Sequence, residues 1–163
     1  MAVPLLDMRR IHASLLGELN AAARRVIEDG RYIMGPDVAA FEQEAAAWLE
    51  VPHAVGVSSG TDALRAVLRV LALTRGPGRV LTTPFTFVAT AEAIVTEGHV
   101  PVFADVDEET CLMRVDDLER HSGPDLVGLL PVHLFGQCVP MEPLLRFAQS
   151  SGLWVVEDAA QSF

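Results

Sequence analysis

Short apolar, β-branched runs alternating with helical stretches predict an α/β fold, a mainly parallel sheet flanked by helices. Three observations carry this reading. The runs Ala54–Ser58, Arg79–Thr82, Val100–Ala104, Asp125–Val132 and Leu153–Glu157 are apolar nearly throughout, as strands covered on both faces are. The segments between them carry apolar residues at three-to-four-residue spacing, which suits crossover helices. Half of the 163 residues, 50%, are hydrophobic, enough to build a core in a chain of ordinary domain length.

Two helices are predicted before any strand. Between Met8 and Asp29 the apolar residues Ile11, Leu15, Leu19, Val26 and Ile27 fall on one helical face, and Gly30 supplies a C-cap. After Gly35, Pro36 suits a first helical turn, and Val38, Phe41, Ala45, Trp48 and Leu49 form an apolar stripe expected to be buried. Residues 1–53 therefore read as an N-terminal helical segment and 54–163 as part of an α/β domain. Within the latter, Thr61–Leu73 and Val88–Glu97 are predicted helices, Asp116–His121 a shorter one, and Met141–Ser151 a helix bounded by Pro140.

Charge and composition exclude several functions. The 12 basic residues are all arginine, against 22 acidic ones, for a formal charge of -10. That sign disfavours a nucleic-acid partner and an anionic membrane surface. Without lysine, the chain has no side chain for a Schiff base, a phosphate-loop lysine or a lysine general base. The first thirty residues intersperse charges among apolar positions, unlike a signal peptide, and no run approaches the roughly 20 apolar residues of a membrane span. Cys111 and Cys138 are too few for a disulfide framework or a zinc site. A cytoplasmic location is the expectation.

In an open parallel sheet, ligands collect at the carboxyl ends of the strands, and four such edges carry chemistry. At Ser58-Ser59-Gly60-Thr61-Asp62, small residues lead directly into a helix. Free N–H groups and a hydroxyl there suit an anion, and an ordinary helix cap is the alternative. Thr83–Thr90 places Phe85 and Phe87 in a loop, where an aromatic ring could stack on a flat heterocycle or pack beneath the next helix. Val132–Gln137 offers His133 and Gln137 at a strand end, with a structural histidine as the commoner outcome. Leu153–Gln161 runs an apolar strand into Glu157 and Asp158, which a protonated heterocyclic nitrogen or ordinary capping and solvation would satisfy.

In order and spacing, these segments resemble the DegT/DnrJ/EryC1/StrS sugar aminotransferases, enzymes of the fold-type-I group that use pyridoxal 5'-phosphate. The resemblance runs from Pro4-Leu5-Leu6-Asp7 through Gly35–Glu42, Ser58–Leu64, Pro84–Ile94, Asp105–Thr110 and Pro131–Gln137 to Val155–Ser162. It implies that Gly60, Thr61 and Asp62 hold the cofactor phosphate, that Phe87 stacks on the pyridine ring, that Asp158 pairs with the ring nitrogen as the catalytic acid, and that Gln161 lies near the ring's 3-hydroxyl edge. No metal is expected, because His12, His53, His99 and His121 show no i,i+4 or acidic pairing that would suggest one. A nucleotide-linked keto sugar is the implied substrate, glutamate or glutamine the amino donor, and a homodimer the assembly.

The same resemblance implies a lysine that binds the cofactor covalently, and this chain has none. The sequence is therefore expected to be the N-terminal part of the large domain, without the remainder of that domain or the small C-terminal domain. Alone, such a part is expected to be inactive and poorly stable or oligomeric, because unfinished sheets leave unpaired edges. Two alternatives stand beside amino transfer. Some relatives replace the lysine by histidine and act as sugar dehydratases, and a truncated paralogue could serve as a silent partner.

Overall fold

In the computed structural model, which describes residues 7–162, the chain divides into two units, Met1–Gly56 and Val57–Phe163. The first is helical. Helix α1 (Met8–His12) is capped by the Asp7 side chain, which accepts the Arg10 N–H at 3.1 Å. Helix α2 (Leu16–Asp29) ends on Gly30, whose φ of 68° is the left-handed conformation a C-cap glycine adopts, and whose N–H reaches the Val26 carbonyl at 3.1 Å. Helix α3 (Pro36–Trp48) has Pro36 in its first turn.

Two expectations for this unit need correction. The single helix predicted over Met8–Asp29 is two helices, because the Leu15 N–H bonds the His12 carbonyl three residues back and closes a tight turn. Side-chain spacing registers a face and does not register such a change in backbone bonding. The α3 stripe is also not buried as a whole. Ala45 is buried, whereas Phe41, Trp48 and Leu49 are exposed. Apolar periodicity identifies a face that cover would stabilise, not the surface that supplies the cover.

The second unit contains helix α4 (Gly60–Arg75), strand β1 (Arg79–Thr82), helix α5 (Ala89–Thr96), strand β2 (Val100–Phe103), strand β3 (Leu126–Leu129), helix α6 (Met141–Ser151) and strand β4 (Trp154–Val155). The predicted helix at Asp116–His121 is a 3₁₀ turn over Leu118–His121, and a second such turn spans Leu134–Gly136. The four strands form one parallel sheet in the order β2-β1-β3-β4. As the uninterrupted apolar runs predict, β1 and β3 are largely buried, and Leu68, Val80, Leu81, Ile94, Leu129, Leu130 and Leu144 form a core with no exposed surface. Strand β2 is the exception, exposed at both ends. It carries Pro101, which has no N–H to donate and is tolerated on an edge.

The run Ala54–Ser58 forms no strand. A strand exists only where a neighbour takes its N–H and C=O groups, and among the described residues the Gly56 N–H is instead bonded to the Glu42 carboxylate at 2.7 Å.

Three contacts hold the second unit's layers in place. Glu97, 8% exposed at the end of α5, receives Arg65 at 3.0 Å and Arg69 at 3.4 Å from α4, so a buried carboxylate is paired twice. His99 has both ring nitrogens committed, Nδ1 to the Gly78 N–H and Nε2 to the Leu68 carbonyl. Its ring meets Trp154 edge-on at 5.8 Å. The Trp154 indole in turn covers Gly128, its register partner, so closely that a Cβ there would lie 2.2 Å from the ring.

Candidate functional site

The carboxyl ends of the strands converge on one opening. Beyond β3 and β4 the ladder resumes: Val132 and Asp158 form a parallel bridge, the Asp158 N–H donates to the Pro131 carbonyl at 2.9 Å, and the His133 N–H donates to the Asp158 carbonyl at 3.0 Å. This pairing delivers Asp158 to the rim of a cavity of about 230 Å³. Gly60, Thr61, Phe87, Asp158 and Gln161 all line it. Five of the six residues singled out from the sequence thus share one wall-to-wall space, although they span a hundred positions of chain.

Asp62 is the sixth and does not line the cavity. Its carboxylate is turned onto the loop before the helix, where the Ser58 and Ser59 hydroxyls donate to it. Those bonds, Ser58 first, together with Arg65 3.8 Å away, hold the Asp62 carboxyl below the usual carboxylate range. Ser59 also accepts the Asp62 N–H at 3.1 Å, so one hydroxyl caps α4 and supports the acid. Replacing Ser59 with alanine is expected to destabilise the fold by about 1 kcal/mol in urea denaturation. Because the Asp62 pKa is lowered by folding, its contribution is present above the ordinary carboxylate range and is lost as pH falls through the lowered value. The variant should therefore lose less on acidification than the parent protein, and an equal loss would count against this role.

With Ser59 taking the Asp62 N–H, the N–H groups of Gly60 and Thr61 find no acceptor among the described residues. They open α4 on the cavity wall, where the helix dipole favours an anion. Opposite in chemistry is Asp158, a half-buried carboxylate. Its Oδ2 accepts the Thr90 hydroxyl at 2.8 Å and its Oδ1 the Ala160 N–H at 3.3 Å, leaving lone pairs on a group that has about four acceptor positions. Phe87 stands exposed at the rim, while Phe85 packs edge-on against Phe135 at 6.4 Å. Of the two loop aromatics, only Phe87 lines the cavity.

Gln161 has its orientation decided by a backbone group. Its Oε1 accepts the Phe135 N–H at 2.7 Å, so the side-chain amide hydrogens remain available as donors. Phe135 itself takes a φ of 58°, unusual for an aromatic residue. His133 is removed from the chemistry: it is 3% exposed, its Nδ1 accepts the Val139 N–H at 3.2 Å, and its Nε2 meets Glu157 at 2.7 Å. Gln137 does not line the cavity.

Sequence reasoning passed over Thr86 and Thr90, which also line the wall. The available signal was a pair of hydroxyls four residues apart in Pro84–Thr90, and it is weak because threonines at that spacing are common on helix shoulders. A helix start with free N–H groups, an aromatic ring and a carboxylate lining one cavity fit a phosphorylated heterocycle whose ring nitrogen can carry a proton. They thereby fit pyridoxal phosphate.

Comparison with known proteins places the chain in a family. Residues 14–163 match the model of the DegT/DnrJ/EryC1/StrS aminotransferase family. The chain is 40% identical over 162 residues to UDP-N-acetyl-3-dehydro-alpha-D-glucosamine 3-aminotransferase of Acidithiobacillus ferrooxidans, covering 99% of this chain and 43% of that protein. It is also 40% identical over 161 residues to dTDP-3-amino-3,4,6-trideoxy-alpha-D-glucose transaminase of Streptomyces venezuelae, covering 98% and 42%. Among solved structures, S. venezuelae DesV superposes with a TM-score of 0.89 at 39% identity, over 98% of this chain and 43% of that one. NtdA of Bacillus subtilis, solved with bound cofactor PMP, gives 0.88 at 30% identity over 99% and 37%. The chain spans well under half the length of these relatives.

Proposed function

Because the chain belongs to the DegT/DnrJ/EryC1/StrS aminotransferase family, we propose that its residues form the cofactor-binding part of an enzyme that moves an amino group from glutamate or glutamine to a keto sugar. We take the sugar to be nucleotide-linked, since the relatives named above act on UDP- and dTDP-sugars. The cofactor is pyridoxal 5'-phosphate, the whole protein a cytoplasmic homodimer, and residues 54–163 part of its large domain, preceded by the helical segment 1–53. The observation that carries this reading is the single cavity that unites Gly60, Thr61, Phe87, Asp158 and Gln161.

Each residue has a task its geometry permits. The free N–H groups of Gly60 and Thr61, with the Thr61 hydroxyl, bind the phosphate at the start of α4. Phe87 covers a face of the ring and excludes water from it. Asp158 holds a proton at the ring nitrogen by placing a negative charge beside it. Gln161, its oxygen engaged by Phe135, donates an amide hydrogen toward the ring's oxygen edge. Asp62 supports the phosphate cradle from behind, through Ser59 and the helix start, and not by direct contact. When bound, the cofactor supplies the electron sink that lets a bond at the substrate's α-carbon break. With no lysine among its residues, this chain offers the cofactor no ε-amine and would hold it by noncovalent contacts.

The test is amino transfer by the whole protein that carries these residues. Charged with pyridoxamine phosphate and given a UDP- or dTDP-linked 3-keto sugar, it is expected to yield the amino sugar, and glutamate to recharge it. A sugar recovered unchanged would overturn the proposal, and so would loss of a hydroxyl without gain of nitrogen, the dehydratase outcome.

A further inference from the structure

We infer that Thr90, backed by Thr86, is a positioning residue for Asp158: the two hydroxyls form a one-way relay that fixes the carboxylate plane and ties it to the loop bearing Phe87. This rests on the cofactor reading above. Thr90 has no exposed surface, and its hydroxyl donates to Asp158 Oδ2 at 2.8 Å, joining α5 to the end of β4 across 68 residues of chain. The Thr86 hydroxyl lies 2.9 Å from that of Thr90.

The direction of the relay follows from the charge at its end. An ionised carboxylate can only accept, so the hydrogen between Thr90 and Asp158 belongs to Thr90. A hydroxyl has one hydrogen, so that between Thr86 and Thr90 belongs to Thr86. Each link then polarises the next toward Asp158, and a partly buried chain of this kind is stronger than its separate bonds.

The carboxylate needs such a hold. The second side-chain torsion of aspartate is broad, so the plane of the group is poorly fixed by rotamer preference. The Ala160 N–H contact to the other oxygen, 3.3 Å, is long. Thr90 supplies the short bond, from a β-branched side chain stiff at its first torsion and seated in the first turn of α5. Thr86 immediately precedes Phe87, so the loop that carries this lining aromatic also holds the far end of the relay. Docking of that loop and orientation of the acid are thereby one event.

The experiment uses pyridoxamine phosphate carrying nitrogen-15 in its ring, because this probe is held without a covalent bond. Thr90→Val, which keeps the shape and removes the hydroxyl, is expected to weaken its binding about tenfold. The ring-nitrogen resonance of the bound probe should also move toward the unprotonated position. Thr90→Ser should restore both, and Thr86→Val should move the resonance in the same direction by less. A threonine that served only packing would alter melting without moving that resonance. The relay is overturned if Thr90→Val binds with the parent affinity and resonance, or if Thr90→Ser behaves like Thr90→Val. Should Thr90→Val not fold, Thr86→Val at its half-exposed position decides, and an unmoved resonance there overturns the relay. Failure of the parent protein to bind the probe, or an unmoved resonance in Asp158→Asn, overturns the cofactor reading and the relay with it.

Discussion

Under the amino transfer proposed above, replacing Asp158 with asparagine is expected to lower kcat of the whole protein by about 10²-fold or more, with little change in stability. The amide is nearly isosteric and can still accept the Thr90 hydroxyl, so the bond that ties α5 to the end of β4 survives. What is lost is the charge. A neutral amide would not hold a proton at the ring nitrogen of the proposed cofactor, which would then supply a poorer electron sink. Steady-state kinetics beside a urea midpoint separate the two effects. A kcat within a few-fold of the parent value would remove Asp158 from the chemistry, whereas a collapsed midpoint would assign it to the fold.

The largest effect on stability is expected from Gly128→Ala, at about 3 kcal/mol or more. Three ring atoms of Trp154 lie 2.2 to 2.3 Å from the position of the new methyl. Relief by a small movement of the indole is blocked because His99 meets the ring edge-on at 5.8 Å and is itself held at both nitrogens. Strain spreads into neighbouring strands because dense cores transmit it. Combining Gly128→Ala with Trp154→Leu should recover part of the loss relative to the sum of the single changes, since the clash is removed along with the ring. Strict additivity in urea denaturation would show that the two positions do not couple.

The strands were legible wherever burial is complete. Arg79–Thr82 is read to the residue because three of its four positions are buried, so its composition records burial on both faces. Leu153–Glu157 is read correctly as the run that leads to Asp158, yet only Trp154 and Val155 are strand, and pairing resumes beyond the run, where Asp158 forms an isolated bridge with Val132. Composition cannot separate a strand from an extended segment that pairs once. Ala54–Ser58 has the same composition without a ladder partner among the described residues, and pairing is a property of two segments. The candidate site was legible chiefly through the resemblance, which singled out Gly60, Phe87 and Asp158, because on their own chemistry each of these strand ends kept an ordinary structural alternative. Thr90 was not, because its role depends on a contact with a residue 68 positions away that its own neighbours do not announce. Asp62 illustrates the converse: its place in the motif pointed to the phosphate, while its carboxylate is satisfied by Ser58 and Ser59 one turn earlier.

The indole that covers Gly128 also makes the molecule its own reporter. The chain has two tryptophans, Trp154, 8% exposed, in the unit Val57–Phe163, and Trp48, 70% exposed, in the unit Met1–Gly56. Their surroundings differ in polarity, so a quencher dissolved in water reaches Trp48 emission readily and Trp154 emission only when the sheet opens. Two unfolding events that merge in a circular-dichroism trace can therefore be told apart by colour and quenching, without attaching a dye.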